Sequence, residues 1–353
     1  SDVCSSDLTG TPLHDFQPAW DENMQDKNYV ICVHGWRKGG MAAATEAQRF
    51  KGRSDEITMF KRLWHRGFKG RYIGFIWPTY DVEVGDQSSA NDLAQTLLQS
   101  KFAWSEYRAW KCGEAFKTMV NGLPAGYKKK VMAHSLGNVV VGSALEQGAA
   151  IDHYALLNAA IPAYCYDVAA ALPLGPLATT AGHADFSFDP DAGIKALSYR
   201  GNTAVHGKAR LEGVAGSLFN FYLPSDLSLI GWQANQIGVA GGKPISDLIT
   251  GGYQYDLTGR EIQWDPTGTV NRKVTDPHEA MAMVNNSWSN ALGREASTGG
   301  KIDPANNINM GVLGSGMEFG QEHEAVFKWQ CAKTWKFYEL LWNALDLPKT
   351  IAP

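Results

Sequence analysis

The chain of 353 residues is 44% apolar and 19% charged, which marks an ordinary globular protein and excludes a disordered or coiled-coil chain. Thirty-two basic against thirty-six acidic residues leave a formal charge of −4, so the basic footprint that nucleic-acid binding requires is missing. No apolar run reaches the ~18 residues of a membrane span. The nearest, residues 168–178, is broken by Pro173 and Pro176.

At the amino end, Asp2-Val3-Cys4-Ser5-Ser6-Asp7-Leu8 resembles the in-frame translation of a sequencing adapter. The expectation is a metagenomic gene fragment with residues 1–8 as a non-native leader and residues 9–353 as one domain. Any signal peptide would then lie upstream, which leaves room for a secreted or cell-surface location. Setting Cys4 aside, Cys32, Cys112, Cys165 and Cys331 are widely spaced and form no C-x-x-C pair. They are neither a disulfide framework nor a metal or redox motif, although one disulfide can form.

Residues 29–33 (Tyr-Val-Ile-Cys-Val) predict a buried parallel strand, preceded by Asn28 and followed by Gly35. A helix is expected over 54–66, with Ile57, Phe60, Leu63 and Trp64 at helical spacing, Ser54 as its cap and Gly67 as its stop. Residues 72–77 predict a second strand, ended by Pro78. The next helix, over 105–120, places Ala109, Cys112, Phe116, Met119 and Val120 on one face and ends at Gly122 and Pro124. A third strand follows at 131–133, a helix at 136–147 closed by Gly148, and a fourth strand at 154–157. The pattern dissolves over 162–212, returns as a strand at 218–222, and is irregular again from 238 to 270. A helix is expected over 276–292, capped by Asp276, with Pro277 in its first turn, Glu279 closing a capping box and Gly293 as its stop. A last aromatic helix is expected over 324–345. This alternation predicts right-handed βαβ units, an α/β fold with a mostly parallel sheet and helices on both faces. Lid-like insertions at about 162–212 and 238–310 are too long for plain loops and are expected to rim a site.

The stretch Lys130-Val131-Met132-Ala133-His134-Ser135-Leu136-Gly137-Asn138 sets a serine between a buried strand and a helix, with Ala133 and Gly137 two positions either side. A nucleophile elbow needs this arrangement. Its serine occupies a strained turn, where larger flanking side chains would collide. Ala133 stands where glycine is more usual. By contrast, Gly35-Trp36-Arg37-Lys38-Gly39-Gly40 lacks the lysine–serine spacing of a phosphate-binding loop.

The chain resembles the α/β-hydrolase fold family, closest to serine hydrolase domains of large proteins from environmental bacteria. The resemblance spans residues 28–347. It rests on Val33-His34-Gly35-Trp36, Phe60-Lys61-Arg62-Leu63-Trp64 and Phe75-Ile76-Trp77-Pro78-Thr79. It rests also on Ala133-His134-Ser135-Leu136-Gly137-Asn138-Val139-Val140, Asn220-Phe221-Tyr222-Leu223-Pro224-Ser225-Asp226 and Gly320-Gln321-Glu322-His323. It implies Ser135 as nucleophile, a base late in the chain and an acid after a late strand, in the order Ser, Asp, His. Asp226 and His323 stand where the family places its acid and base; Asp265 and Asp276 are the other candidate acids.

Of the remaining histidines, His34 is expected to shape the loop after the first strand and His134 to point away from the nucleophile. His65 suits a helix end and His278 a helix surface, while His14, His153, His183 and His206 have no supporting context. An oxyanion hole would draw on the backbone N–H groups of Leu136 and Trp36, with Gly35 permitting close approach. The implied activity is that of an esterase or lipase, cleaving a small-molecule or lipid ester through an acyl-enzyme, with no metal or organic cofactor. Near-neutral charge suits uncharged esters better than polyanions. The alternative is a catalytically inactive hydrolase-fold binding module of a larger secreted or surface protein, since fold alone does not imply activity.

Overall fold

The computed structural model describes residues 26–36, 54–77, 108–161, 163–166, 212–229, 253–255, 261–263, 291–297, 302–313, 323–327 and 332–348. Eight strands are seen among them: β1 (Asn28–Val33), β2 (Arg71–Phe75), β3 (Lys128–His134), β4 (His153–Leu157), β5 (Leu218–Tyr222), β6 (Tyr253–Tyr255), β7 (Glu261–Gln263) and β8 (Asn307–Asn309). The helices are α1 (Ser54–His65), α2 (Gly113–Gly122), α3 (Gly137–Glu146) and α4 (Ala332–Ala344), besides several short 3-10 turns. Six strands form one sheet, every pairing parallel, in the order β2-β1-β3-β4-β5-β8. Strands β6 and β7 pair with each other, antiparallel, apart from that sheet.

Side chains alternate across the sheet with period two, and each set meets its own helices. Tyr29, Ile31, Val33, Val131, Ala133, Tyr154 and Leu156 lie in one core with Phe116, Val120, Val140 and Ala144 of α2 and α3. Val30, Cys32, Met132, Ala155 and Leu157 lie in the other with Met59, Leu63, Phe337, Tyr338 and Leu341 of α1 and α4. This continuous apolar character is what a sheet covered on both faces demands. The layering also follows from handedness: the β1–α1–β2 crossover runs one way, and the α2 and α3 crossovers run the other, which puts α1 on the opposite face. Cys32 and Cys112 are buried, one in each core. No helix among the described residues is long and apolar enough to cross a membrane.

Several expected elements shift. Helix α1 forms where predicted but turns a different stripe inward: Glu56, Met59, Arg62 and Leu63 are buried, whereas Phe60 is 39% exposed and Trp64 52% exposed. The interior decides this, because Tyr338 of α4 bonds Met59 Sδ (2.8 Å) and lies 4.9 Å beneath the Arg62 guanidinium. The strand expected over 72–77 ends at Phe75, since Trp77 is drawn out of the ladder to His34. The helix expected from 105 lies outside the described residues at its start. From 108 on, its predicted face of Ala109, Cys112, Phe116, Met119 and Val120 is buried.

Most of the helix expected over 276–292 is outside the described residues. Its end differs, because Ala291 is extended and Leu292–Arg294 is a 3-10 turn. Of the final helix expected over 324–345, Ala325–Phe327 is a 3-10 turn and the described α-helix starts at Ala332.

The chain returns to the sheet at Asn307–Asn309, inside the lid-like insertion expected over about 238–310. Asn220 of β5 is fully buried, and its Nδ2 donates to Leu292 O (3.2 Å), Glu295 O (2.9 Å) and Asn307 Oδ1 (3.2 Å). This amide and the parallel β5–β8 ladder together hold the sixth strand, an Asn-Ile-Asn segment with little apolar pattern of its own.

Candidate functional site

In this strand order β1 and β3 are neighbours whose crossovers leave in opposite directions. That crevice, at the carboxyl ends of the strands, is where open parallel sheets take ligands. Ser135 stands there, in the turn from β3 into α3, with φ of +52°. A non-glycine residue in that region carries roughly 1–3 kcal/mol of strain, which the surrounding structure must over-determine. It does so with backbone bonds. Ser135 N donates to Leu157 O (2.9 Å), and Ser135 O accepts from Ala160 N (3.2 Å), Asn138 N (3.1 Å) and Asn138 Nδ2 (2.9 Å). The Asn138 amide is itself fixed, since Nδ2 also donates to Ala133 O (3.0 Å) and Tyr154 Oη donates to Oδ1 (2.7 Å).

Two glycines allow the crossing. A Cβ at Gly137 would come within 2.6 Å of the Val33 and His34 carbonyl oxygens, both backbone atoms at the end of β1. A Cβ at Gly35 would stand 2.9 Å from Ser135 Cβ and from His134 Nδ1. The β1 and β3 ends therefore touch with no space for a methyl group between them. Leu136, fully buried, and Gly137 begin α3, where the first N–H groups have no acceptor within the helix. Trp36 is half-buried and packs against the core shared with α2 and α3.

His34 is committed elsewhere. Trp77 N donates to its Nε2 (3.1 Å), Trp77 Nε1 donates to its carbonyl (2.8 Å), and the two rings stack 5.3 Å apart. Its Nδ1 therefore carries the proton, donated to Gly35 O at 2.7 Å. A neutral ring with both nitrogens engaged is no free base.

Asp226 and His323, 97 residues apart, meet at 2.6 Å between His323 Nδ1 and Asp226 Oδ2. Asp226 is wholly buried, and its Oδ1 accepts the Leu229 N–H (3.0 Å), so the carboxylate caps the turn that follows β5. The loop is tied down by Leu223 N to Gly293 O (2.8 Å) and by Arg294 Nε and Nη2 to Pro224 O (3.1 and 3.0 Å). With a carboxylate as acceptor, His323 Nδ1 carries a proton and Nε2 is left as the basic nitrogen of the neutral ring.

His134 joins the serine turn to this pair. Its Nε2 lies 3.0 Å from His323 O, its ring is 4.6 Å from the His323 ring, and Phe327 meets its face edge-on at 4.9 Å. Facing a carbonyl, Nε2 must be the donor. Burial, reinforced by the neighbouring His323, pushes His134 down to about 3, so its ring is neutral in the working range. The sequence marked His134 only as a neighbour of the nucleophile that points away from it, and did not reveal this contact.

Asn158, at the end of β4, was missed altogether. It is buried with φ of +43°, and its Nδ2 donates to Asp226 Oδ2 at 2.8 Å. An asparagine directly after an apolar strand is a fair signal for a left-handed turn, but nothing local names its partner 68 residues on. Asp265 and Asp276, the other candidate acids, lie outside the described residues, as do His14, His183, His206 and His278. Among the described residues, no group of three or more His, Cys, Asp or Glu side chains is placed to hold a metal ion. Compared with known proteins, the chain matches no family model and shows no detectable similarity to a curated protein.

Proposed function

We propose that the chain is a serine hydrolase of the α/β-hydrolase fold that cleaves carboxylic esters through an acyl-enzyme. The observation that carries this reading is the His323–Asp226 contact of 2.6 Å, seated through His134 against the left-handed Ser135 turn at the sheet's switch point. A serine hydroxyl is a weak nucleophile unless a base removes its proton. In the proposed mechanism Ser135 Oγ attacks the ester carbonyl as its proton passes to His323 Nε2. The imidazolium so formed keeps its Nδ1–H on Asp226, whose negative charge stabilises it. The N–H groups of Leu136 and Trp36 receive the oxyanion. His323 then gives its proton to the leaving alcohol oxygen as the C–O bond breaks. Water, deprotonated by the same nitrogen, attacks the acyl-enzyme and returns the serine.

The tests are direct. The wild-type protein is expected to hydrolyse short p-nitrophenyl esters and to form a fluorophosphonate adduct on Ser135 visible by mass spectrometry. Ser135→Ala should lose both. Undiminished hydrolysis in the alanine variant would overturn the assignment of the nucleophile. Absence of both signals in the folded wild-type protein would leave a binding module instead. An ester panel from acetyl to palmitoyl would then separate esterase from lipase.

A further inference from the structure

We infer that Asn158 is a positioning residue that holds the Asp226 carboxylate aimed at His323; this rests on the proposed roles of Ser135, Asp226 and His323. The amide reaches the same oxygen that meets His323: Asn158 Nδ2 to Asp226 Oδ2 is 2.8 Å, and His323 Nδ1 to that oxygen is 2.6 Å. With Leu229 N on Oδ1 at 3.0 Å, both oxygens are bound and the carboxylate cannot rotate about its Cβ–Cγ bond. The orientation of the amide is not arbitrary, because turning Oδ1 toward Asp226 would oppose two acceptors. Its Oδ1 is buried and has no hydrogen-bond partner among the described residues, so the amide is placed for what its nitrogen does.

The backbone is committed to the same end. Asn158 is only 1% exposed, sits in the left-handed region at φ +43°, and donates its own N–H to Phe221 O (3.0 Å). Asparagine is among the few non-glycine residues that adopt this conformation readily. An amide N–H is a donor at every pH. An acid in its place would donate only while protonated.

Steady-state hydrolysis of p-nitrophenyl acetate by the full chain, followed from mildly acidic to mildly alkaline pH, distinguishes this role from a structural one. Asn158→Gly accepts the positive φ and removes the amide together with its Cβ. It is expected to keep its circular dichroism and a KM within about twofold while kcat falls about 10–100-fold, the usual range for partners that orient a functional group. Asn158→Asp sets two carboxylates side by side, which titrate as a pair sharing one proton. Its activity relative to wild type should fall as pH rises and recover on acidification. Both variants retaining the wild-type kcat and pH profile would overturn the inference while leaving the hydrolase reading intact. A wild-type protein that neither turns over the ester nor labels at Ser135 removes that reading, and this inference with it.

Discussion

Gly137 meets the backbone of β1 with no room to yield. A methyl group at this position would press on two carbonyl oxygens at 2.6 Å, neither of them the end of a flexible side chain. Gly137→Ala is therefore expected to cost roughly 1–3 kcal/mol, the ordinary penalty of overpacking. A urea midpoint equal to wild type would show that the strand ends can part. His134 carries a pH prediction. Its folded-state value of about 3 lies below the ordinary 6.5, so between those limits the unfolded chain binds more protons than the folded one. Stability from this group is complete above about 6.5 and is lost as pH falls toward 3. The groups facing it are His323, Glu324 and Asp226, with Phe327 on the ring. His134→Gln, which keeps a donor but does not titrate, should flatten the acid side of the curve of urea midpoint against pH. Curves that stay parallel through that window would assign the acid lability to other groups. The serine turn was legible in sequence because its steric demands fall on residues two positions away. The partners of His134 and Asn158 were not, because each lies on a distant segment.

Helix α1 shows the same divide at the scale of an element. Its existence and limits followed from local periodicity and a glycine stop, and the structure places it at Ser54–His65. Its inward face did not follow, because two aromatic residues, Phe60 and Trp64, compete with Met59 for the core and hydropathy alone favours the larger rings. Packing against Tyr338 settles it for Met59 and Leu63, while Phe60 rests against Tyr72 at the rim with 5.3 Å between centroids. Met59→Ala should accordingly destabilise by about 2–5 kcal/mol, the cost of a buried methionine side chain. Phe60→Ala and Trp64→Ala should each lose far less. Denaturant unfolding of the three variants checks the order, and a Trp64 effect as large as that of Met59 would return the core face to the aromatic stripe.

At the scale of the whole molecule, the two ends of the sheet are held by different chemistry. At the amino end of β3, Lys130 is buried to 2% exposure and donates to the Asp346 backbone carbonyl, with the Asp346 carboxylate 3.8 Å away. Burial pulls Lys130 below its ordinary value, and the nearby Asp346 charge opposes that pull. This contact fastens the turn after α4 onto the strand that carries Ser135 at its other end. Lys130→Ala is expected to cost about 1–3 kcal/mol through the orphaned carbonyl. On the proposed function, ester hydrolysis measured well below the melting temperature should be unchanged, and a loss of kcat there would tie the two ends of β3 together functionally. The alternation of strands and helices, the strand–turn–helix around Ser135 and the two-sided burial of the sheet were all determined by sequence alone, since each is a local matter of period, propensity and steric room. Strand order, the neighbouring of β1 and β3, the capture of Asn307–Asn309 by β5 and the meeting of Asp226 with His323 and Asn158 were decided only by the tertiary structure. These join segments far apart in the chain, and the free energy that selects them, from apolar burial and from hydrogen bonds between the segments, is gained only once both segments are in place.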